Sequence, residues 1–381
     1  MSETTKNSRR KFLKIGGSMA LAAAASSAGA KVMFTRKSPA SQDLLRVGLL
    51  LGAGGHSNGI WGRFFNPTEG EIRRLGMIYT KVWSADREAA GKFGKKFGIE
   101  VEDKFDGMVD KVDGIMIDDF NAVAYNHKLA RPYLEAGIPA FINRPFTDSI
   151  KKAKEMIYLA KKYNAPIMTG SSYEHIQEMY TIRAKVKRDE ITGYEAWNAC
   201  SDYYSHGLHG VWGAYAAIGG GIEAVSLSCK DLRKSAGGIT VVSYKDRGKG
   251  PFTGKINEGP MPNESSHWFA ITIQPLKQNY VFNSMDEWGI DEFMWLPMLH
   301  RIQWMFEKGG LYQTHEEILE KSSLFTGAFF SNLERGGKMV RLSEIPEDWA
   351  VGSPYGFYDA GSQIDMYARL FGKENGMIKP E

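Results

Sequence analysis

Residues Leu45–Gly55 have the sequence LRVGLLLGAGG, an apolar run that ends in closely spaced glycines. A short continuous apolar run is typical of a strand buried in a parallel sheet. Glycines directly after such a strand let the backbone approach a pyrophosphate, and the following helix favours its charge. The pattern Gly52-x-Gly54-x-x-Ser57 departs from the usual fingerprint in its third position, where Ser replaces Gly. The segment predicts the start of a dinucleotide-binding Rossmann domain, and the alternative is a plain tight turn.

The chain that follows alternates predicted strands with predicted helices. The strands are expected at 45–51, 78–83, 112–117, 139–143 and 165–170. The helices are expected at 88–97, 127–136 and 149–163, after an earlier helix that Asn66-Pro67 interrupts. Such alternation is typical of a doubly wound parallel sheet with helices on both faces. The predicted fold class is therefore α/β, with residues 44–170 as the Rossmann domain.

The pattern changes beyond Gly170. A helix at 176–187 precedes alternating segments that predict strands at 194–200, 238–244, 267–274 and 279–283. Helices are expected at 293–307, 315–331 and 361–370. Residues 171–381 therefore predict an α+β domain with an open, mostly antiparallel sheet, suited to binding a substrate and to oligomerisation.

The N-terminus has the pattern of an export signal of the twin-arginine type. Arg9 and Arg10 precede an apolar run that ends in Ala28-Gly29-Ala30, an A-x-A cleavage pattern. The run is shorter than the roughly 20 residues that span a bilayer, which argues against a membrane anchor. We expect cleavage after Ala30, passage through the twin-arginine machinery and a periplasmic location. Residues 1–30 are then the signal peptide and 31–43 a polar linker.

Composition restricts the partners of the mature chain. Lys and Arg number 48 and Asp and Glu 44, and removal of residues 1–30 leaves equal numbers of each sign. A neutral chain lacks the positive field that nucleic-acid binding demands. No later segment resembles a basic amphipathic membrane helix, so a small ligand is expected. Cys200 and Cys229 either pair or remain buried thiols, and no metal-ligand spacing is present.

The residues after the second predicted strand bear on the choice of cofactor. An acidic residue usually binds the ribose hydroxyls at this point, but the chain has Ser84. Ser84 and Arg87 suit a 2′-phosphate and hence NADP. Asp86 either serves a ribose or caps the next helix. The sequence thus predicts NAD or NADP and leaves the two open.

The chain resembles the glucose-fructose oxidoreductase, inositol dehydrogenase and MocA family, written Gfo/Idh/MocA. The resemblance rests on the glycine turn at 52–57 and on the segments 127–137, 141–146 and 207–211. It implies a two-domain oxidoreductase with a nicotinamide cofactor and a sugar-like substrate. It also implies a homo-oligomer, either a dimer or a tetramer. Some family members are exported with a tightly held cofactor.

The resemblance also implies roles for individual residues. The family's acid-Lys-Pro turn beside the nicotinamide corresponds to Asn143-Arg144-Pro145, in which Arg144 keeps a positive charge but cannot act as a base near neutral pH. His209 matches the family's catalytic His, and the carboxylate expected four residues before it is Ser205. The sequence therefore predicts His209 as the base or acid and Arg144 as an electrostatic clamp. The predicted cofactor contacts are Gly52, Gly54, Gly55, His56, Ser57, Ser84, Arg87, Asn143, Arg144 and Pro145.

Aromatic and polar residues near these positions are candidates for binding the substrate. Sugars stack their apolar faces on aromatic rings, although any one ring is as easily part of a core. The predicted substrate contacts are Tyr173, His175, Tyr204, Ser205 and His206. The pair Asp118-Asp119 either binds sugar hydroxyls or caps a turn. His206 is adjacent to Ser205 and is a further candidate, although neighbouring residues on a strand point to opposite faces.

Together these patterns predict an exported NAD(P)-dependent oxidoreductase. It would transfer hydride at a carbon of a sugar, cyclitol or derivative, with the cofactor tightly bound. Two alternatives remain open. One is an NAD-dependent glycosidase or lyase that oxidises the sugar transiently, and the other is a catalytically degenerate sugar-binding protein.

Overall fold

The computed structural model describes residues 44–52, 55–200, 202–233, 237–260, 269–274, 291–352 and 361–374. All of these residues belong to one compact unit. The predicted signal peptide and linker, Gly54 and the predicted strand 279–283 lie outside the described residues. Within the described ranges, every helix is too short or too polar to span a bilayer.

The first sheet has six parallel strands in the order β3-β2-β1-β4-β5-β6. The strands are β1 (Leu45–Leu51), β2 (Met77–Trp83), β3 (Glu100–Val101), β4 (Gly114–Asp118), β5 (Ala140–Ile142) and β6 (Ile167–Met168). The strand order reverses between β1 and β4, and ligands of doubly wound sheets bind in the crevice at such a switch point. The predicted parallel Rossmann sheet is confirmed.

Four helices cover this sheet. They are α1 (Ile60–Phe65), α2 (Arg87–Phe97), α3 (Asn126–Glu135) and α4 (Ile150–Lys162). The helix α1 ends at Asn66, as Asn66-Pro67 predicts. Gly98 ends α2 in the left-handed conformation, with a φ of 66°. The predicted strand 165–170 shortens to Ile167–Met168, because the residues after it turn into a capped loop.

The second sheet also has six strands, in the order β11-β7-β10-β9-β8-β12. They are β7 (Gly193–Cys200), β8 (Ile222–Ser228), β9 (Ile239–Tyr244), β10 (Phe252–Pro260), β11 (Phe269–Gln274) and β12 (Val340–Arg341). All pairs are antiparallel except β7 with β10. The mostly antiparallel sheet is confirmed. Sequence patterns missed β10 because its glycines and charged residues interrupt the apolar alternation.

Five more helices complete the described chain. They are α5 (Gln177–Lys185), α6 (Leu208–Ile218), α7 (Asp291–Lys308), α8 (His315–Arg335) and α9 (Gly361–Phe371). The sequence did not predict α6, because every residue in it is buried and its apolar character has no polar face. Two of these helices return to the first sheet. Trp295 of α7 packs in one of its cores and Tyr367 of α9 in the other.

Candidate active site and cofactor cleft

Asp118 organises the loops at the carboxyl ends of β1, β4 and β5. Its Oδ2 accepts a 2.6 Å hydrogen bond from the Ser57 backbone N–H, and its Oδ1 accepts a 2.7 Å bond from Asn143 Nδ2. The side chain is fully buried. Burial raises the pKa of the carboxyl, but the neighbouring His56 and the hydrogen bond from Ser57 outweigh burial and hold the pKa below its ordinary value. Asp118 is therefore an anion inside the glycine turn.

His56 fills the space beside this network. Asn143 Nδ2 lies 2.9 Å from His56 Nδ1, so that nitrogen accepts a hydrogen bond and the imidazole is neutral. The ring stacks on Trp61 at 4.6 Å between centroids and also contacts Trp295. Burial lowers the pKa of His56 to about 4. The structure thus brings His56, Ser57 and Asn143, three of the predicted cofactor contacts, together around Asp118.

Arg144 and His209 are in direct contact. The Nε and Nη2 of Arg144 lie 3.1 Å and 2.5 Å from His209 Nε2, and both residues are almost fully buried. Because a guanidinium only donates, Nε2 accepts and the imidazole proton lies on Nδ1. That proton is donated to Ser171 Oγ at 2.5 Å. His209 therefore has the neutral form that a base needs, but its lone pair is occupied by Arg144.

A second histidine lies beside this pair and has a carboxylate partner. His206 Nδ1 is 2.6 Å from Asp202 Oδ2, and Ser205 Oγ also bonds Asp202 at 2.7 Å. Burial raises the pKa of the Asp202 carboxyl, but the hydrogen bond and charge of His206 outweigh burial and lower it. The His206 side chain is 18% exposed, so this imidazole reaches the surface of the buried cluster.

The local backbone brings together the Asp202–His206 pair, which sequence reasoning did not identify. Residues Tyr203–Gly207 form a wide helical turn that continues into α6. His206 and His209 therefore lie on one side, with ring centroids 6.0 Å apart. The signal was present in the sequence, because Asp202 precedes His206 by the same four residues that separate the family's carboxylate and histidine.

The other predicted substrate residues are spread over the structure. The Tyr173 ring lies 4.8 Å from the His209 ring and thus borders the pair. His175 packs against Tyr312 instead, with 5.3 Å between ring centroids. The Tyr204 hydroxyl donates to the Gly352 carbonyl, and its ring is fully buried against Phe325. Of these three aromatic residues, Tyr173 is the one that the structure brings to His209.

Two carboxylates whose roles the sequence left open, those of Asp86 and Asp119, stabilise local structure. Asp86 caps α2, because its side chain accepts from the N–H groups of Glu88 and Ala89. Asp119 Oδ1 accepts from the Asn121 N–H at 2.8 Å, which closes the turn after β4. Its Oδ2 accepts from the Tyr367 hydroxyl at 2.6 Å. Burial raises the pKa of Asp119 to about 6.

A cavity of about 650 Å³ lies at the end of β2, where the adenosine half of a dinucleotide sits in Rossmann folds. Ser84 and Arg87 line it, together with Arg369 and Leu370 from α9. The Ser84 hydroxyl is buried and accepts from the Asp86 N–H at 3.1 Å. Arg87 is ion-paired to Asp103 at 3.0 Å. The apolar wall suits an adenine ring, and the arginines suit a phosphate.

The residues present fit a nicotinamide dinucleotide at its two ends. The cavity at β2 would hold the adenosine ribose, and Asn143, Arg144 and Pro145 follow β5, on the other side of the switch point between β1 and β4. The glycine turn between them is packed against carboxylates, since a Cβ on Gly52 would lie 2.0 Å from Asp119 Cγ. Among the described residues, no cluster of three or more His, Cys, Asp or Glu side chains is placed to hold a metal ion.

Comparison with known proteins finds a family match in the N-terminal part of the chain. Residues 47–171 match the model of an oxidoreductase family with an NAD-binding Rossmann fold. The model is that of Gfo/Idh/MocA, so this segment is similar to the predicted family, and the predicted class of cofactor is confirmed. No curated protein matches the chain.

Solved structures extend the likeness to most of the chain. GenD2 from gentamicin A biosynthesis, in complex with NAD, has a TM-score of 0.64 at 13% identity, and the match covers 81% of this chain and 99% of that one. The scyllo-inositol dehydrogenase from Lactobacillus casei, with NAD(H) and scyllo-inositol, has a TM-score of 0.63 at 13% identity. The match covers 79% of this chain and 100% of that one. A probable dehydrogenase from Thermotoga maritima has a TM-score of 0.64 at 13% identity, and the match covers 79% of this chain and 100% of that one. At such low identity these matches show a shared fold.

Proposed function

We propose that this protein is an NAD(P)-dependent oxidoreductase that acts on a hydroxyl-bearing carbon of a sugar, cyclitol or derivative. The observation that carries the proposal is the Asp202–His206 pair, set beside Arg144 and His209 at the end of the cleft. A carboxylate bonded to Nδ1 orients the imidazole and stabilises its protonated form, which is what a general base requires. The family match of residues 47–171 supports the nicotinamide cofactor.

Each residue of the cluster has a role that follows from its contacts. His206 takes the proton of the substrate hydroxyl through Nε2, because Nδ1 is bonded to Asp202. Arg144 holds the oxygen of the reacting carbon by charge and hydrogen bonding, and His209 fixes the orientation of its guanidinium. The nicotinamide, when bound, accepts or returns the hydride. His209, the base predicted from the sequence, becomes the alternative base if substrate displaces Arg144 from it.

We further propose that the protein works outside the cytoplasm with a retained cofactor. The twin-arginine pattern at Arg9 and Arg10 supports export of the folded chain, which is loaded with its cofactor before crossing the membrane. Free nicotinamide nucleotides are scarce there, so turnover reoxidises or reduces the cofactor on a second substrate. Fractionation of cells for the mature chain, with Arg9→Lys and Arg10→Lys as the control, tests the location.

The function is tested on the natively exported, purified protein. Small molecules released by denaturation are identified by mass spectrometry, and the protein is then mixed with a panel of sugars and cyclitols while nicotinamide absorbance is followed. Bound nucleotide and a substrate-dependent change in its redox state support the proposal. Release of an aglycone without net change in the cofactor selects the glycosidase or lyase. Sugar affinity without any redox change selects the sugar-binding protein.

A further inference from the structure

Asp118 places a negative charge where the Rossmann fold receives the pyrophosphate of its cofactor. Asp118 is the last residue of β4, and it pairs with Leu51 at the end of β1. The Gly52 N–H donates to the Asp118 carbonyl at 3.1 Å, so the residue lies directly beside the glycine turn. In this fold the pyrophosphate lies against that turn and is held by its N–H groups.

The carboxylate of Asp118 accepts a hydrogen bond from the turn itself, from the Ser57 N–H. Its two oxygens accept from the Ser57 N–H and from Asn143 Nδ2, at 2.6 Å and 2.7 Å. An ionised acceptor forms stronger hydrogen bonds than a neutral one, so these contacts stabilise the turn in the free protein. A pyrophosphate would have to compete for the Ser57 N–H.

Asp118 packs tightly against Gly55 of the turn. A Cβ built on Gly55 would lie 2.9 Å from both Asp118 Cγ and Oδ2, and 2.2 Å from the Asp118 carbonyl oxygen. Contacts under about 3 Å are closer than real Cβ atoms make. A phosphate group is larger than a methyl group, so it does not fit between Gly55 and the Asp118 side chain. A phosphate that takes the Ser57 N–H therefore requires the carboxylate to move.

We propose that Asp118 sets the affinity for the cofactor by acting as an internal competitor of its pyrophosphate. In the free protein the carboxylate occupies the turn, and the dinucleotide binds when the carboxylate withdraws from the Ser57 N–H. The inference rests on the proposed function, since it concerns the same nicotinamide dinucleotide. It assigns Asp118 to cofactor binding, whereas the sequence left it between a sugar contact and a turn cap.

The test is a titration of the purified full-length mature protein, freed of any bound nucleotide, with NADH and with NADPH. Asp118→Asn keeps an oxygen acceptor for Ser57 and removes the charge. Like charges a few ångströms apart near a protein surface reduce affinity by on the order of a hundredfold, so we expect binding to tighten by about tenfold or more. Asp148→Asn is the matched control, because Asp148 is equally buried but pairs with Lys152 instead of contacting the turn. It should change affinity by less than about threefold.

Equal affinity of wild type and Asp118→Asn overturns the inference, and so does equal tightening by Asp148→Asn. Binding of neither nucleotide by any variant refutes the proposed function itself, which distinguishes the two failures. Asp118→Ser replaces Asp118→Asn if the latter does not fold. A crystal structure of the wild type with bound NADPH is a second test, and it does not depend on any variant. Loss of the Asp118–Ser57 hydrogen bond in it supports the inference, and retention of that bond overturns it.

Discussion

His206 Nδ1 lies 2.6 Å from Asp202 Oδ2, one helical turn earlier in the chain. The Nε2 of His209 is held by Arg144. The two histidines therefore differ in their neighbours. A carboxylate orients the imidazole of His206, whereas the imidazole of His209 lies against a guanidinium.

This difference predicts the outcome of replacing each histidine. His206→Gln should lower kcat by about a hundredfold or more, the usual contribution of a general base. His209→Gln should lower kcat less and raise KM more, because it loosens Arg144. Steady-state kinetics on the substrate found by screening provides the measurement. The control is His300→Gln, because His300 is an exposed residue of α7. A larger loss of kcat in His209→Gln than in His206→Gln would assign the base to His209.

Arg144 predicts a second kinetic difference. Arg144→Gln removes the charge beside His209 and should lower kcat/KM by about a hundredfold, within the range for a buried electrostatic group. Arg144→Lys keeps the charge but loses the planar fork that contacts His209 through two nitrogens, so it should recover only part of the loss. Equal activity of Arg144→Gln and wild type would exclude Arg144 as the clamp.

The arginines at the adenosine cavity predict a preference for NADP. The carboxylate that usually selects NAD is replaced by the buried Ser84, and Arg87 and Arg369 stand on the cavity wall. Arg369→Ala should weaken NADPH binding by about tenfold and NADH binding much less, since only NADP carries the 2′-phosphate. Calorimetric titration with both nucleotides provides the measurement. Tighter binding of NADH than of NADPH by the wild type would contradict this preference.

The sequence predicted the architecture well because its signals are local. The glycine turn after Leu51 and the alternation of strands with amphipathic helices gave the first sheet. The second half was predicted less completely, since α6 is apolar on all sides and β10 lacks alternation. Those elements are fixed by burial in the tertiary structure, which single-sequence patterns do not carry.

In the candidate site, too, local motifs were predicted from the sequence and contacts between distant residues were not. The turn Asn143-Arg144-Pro145 and His209 were singled out from local motifs, and the structure places Arg144 against His209. The hydrogen bond of Asp118 to Ser57 joins residues far apart in the chain and has no local pattern. The spacing of Asp202 and His206, four residues apart, could have indicated this pair. The helical turn on which their side chains meet was not predicted from the sequence.

Buried histidines predict that acid weakens the fold. Burial lowers the pKa of His127 to about 4, with the charge of Lys152 adding to the effect. The unfolded chain therefore binds more protons than the native chain between this pKa and the ordinary value near 6.5, so stability is present above this window and is lost as pH falls through it. For one such group the loss from about pH 7.5 to about pH 5 is about 2 kcal/mol.

The measurement is urea unfolding at both pH values for wild type and His127→Gln. The variant should lose less stability on acidification, by about 2 kcal/mol, because one titrating group is gone. Part of the acid sensitivity should remain in the variant, since burial also lowers the pKa of His56 to about 4. An identical pH dependence in the two proteins would show that His127 titrates normally.

The ion pair of Lys321 and Glu174 predicts a strong asymmetry between single and double variants. Lys321 Nζ lies 2.8 Å from Glu174 Oε2, and the two side chains are 1% and 7% exposed. The other oxygen of Glu174 accepts from the Ser171 N–H at 2.9 Å, so the pair also holds the residue that bonds His209. Lys321→Met leaves a buried carboxylate without its cation and should lower the free energy of unfolding by about 3–5 kcal/mol.

The double variant Lys321→Met, Glu174→Gln removes both charges, and its loss should be smaller than that of Lys321→Met alone. Glu174→Gln keeps an oxygen for the Ser171 N–H, so the loop that carries Ser171 should retain its cap in the double variant. Chemical unfolding of the three variants and wild type completes a double-mutant cycle. If the double variant were as unstable as the sum of the single ones, the two residues would act independently and the pair would not hold the Ser171 loop through its charge.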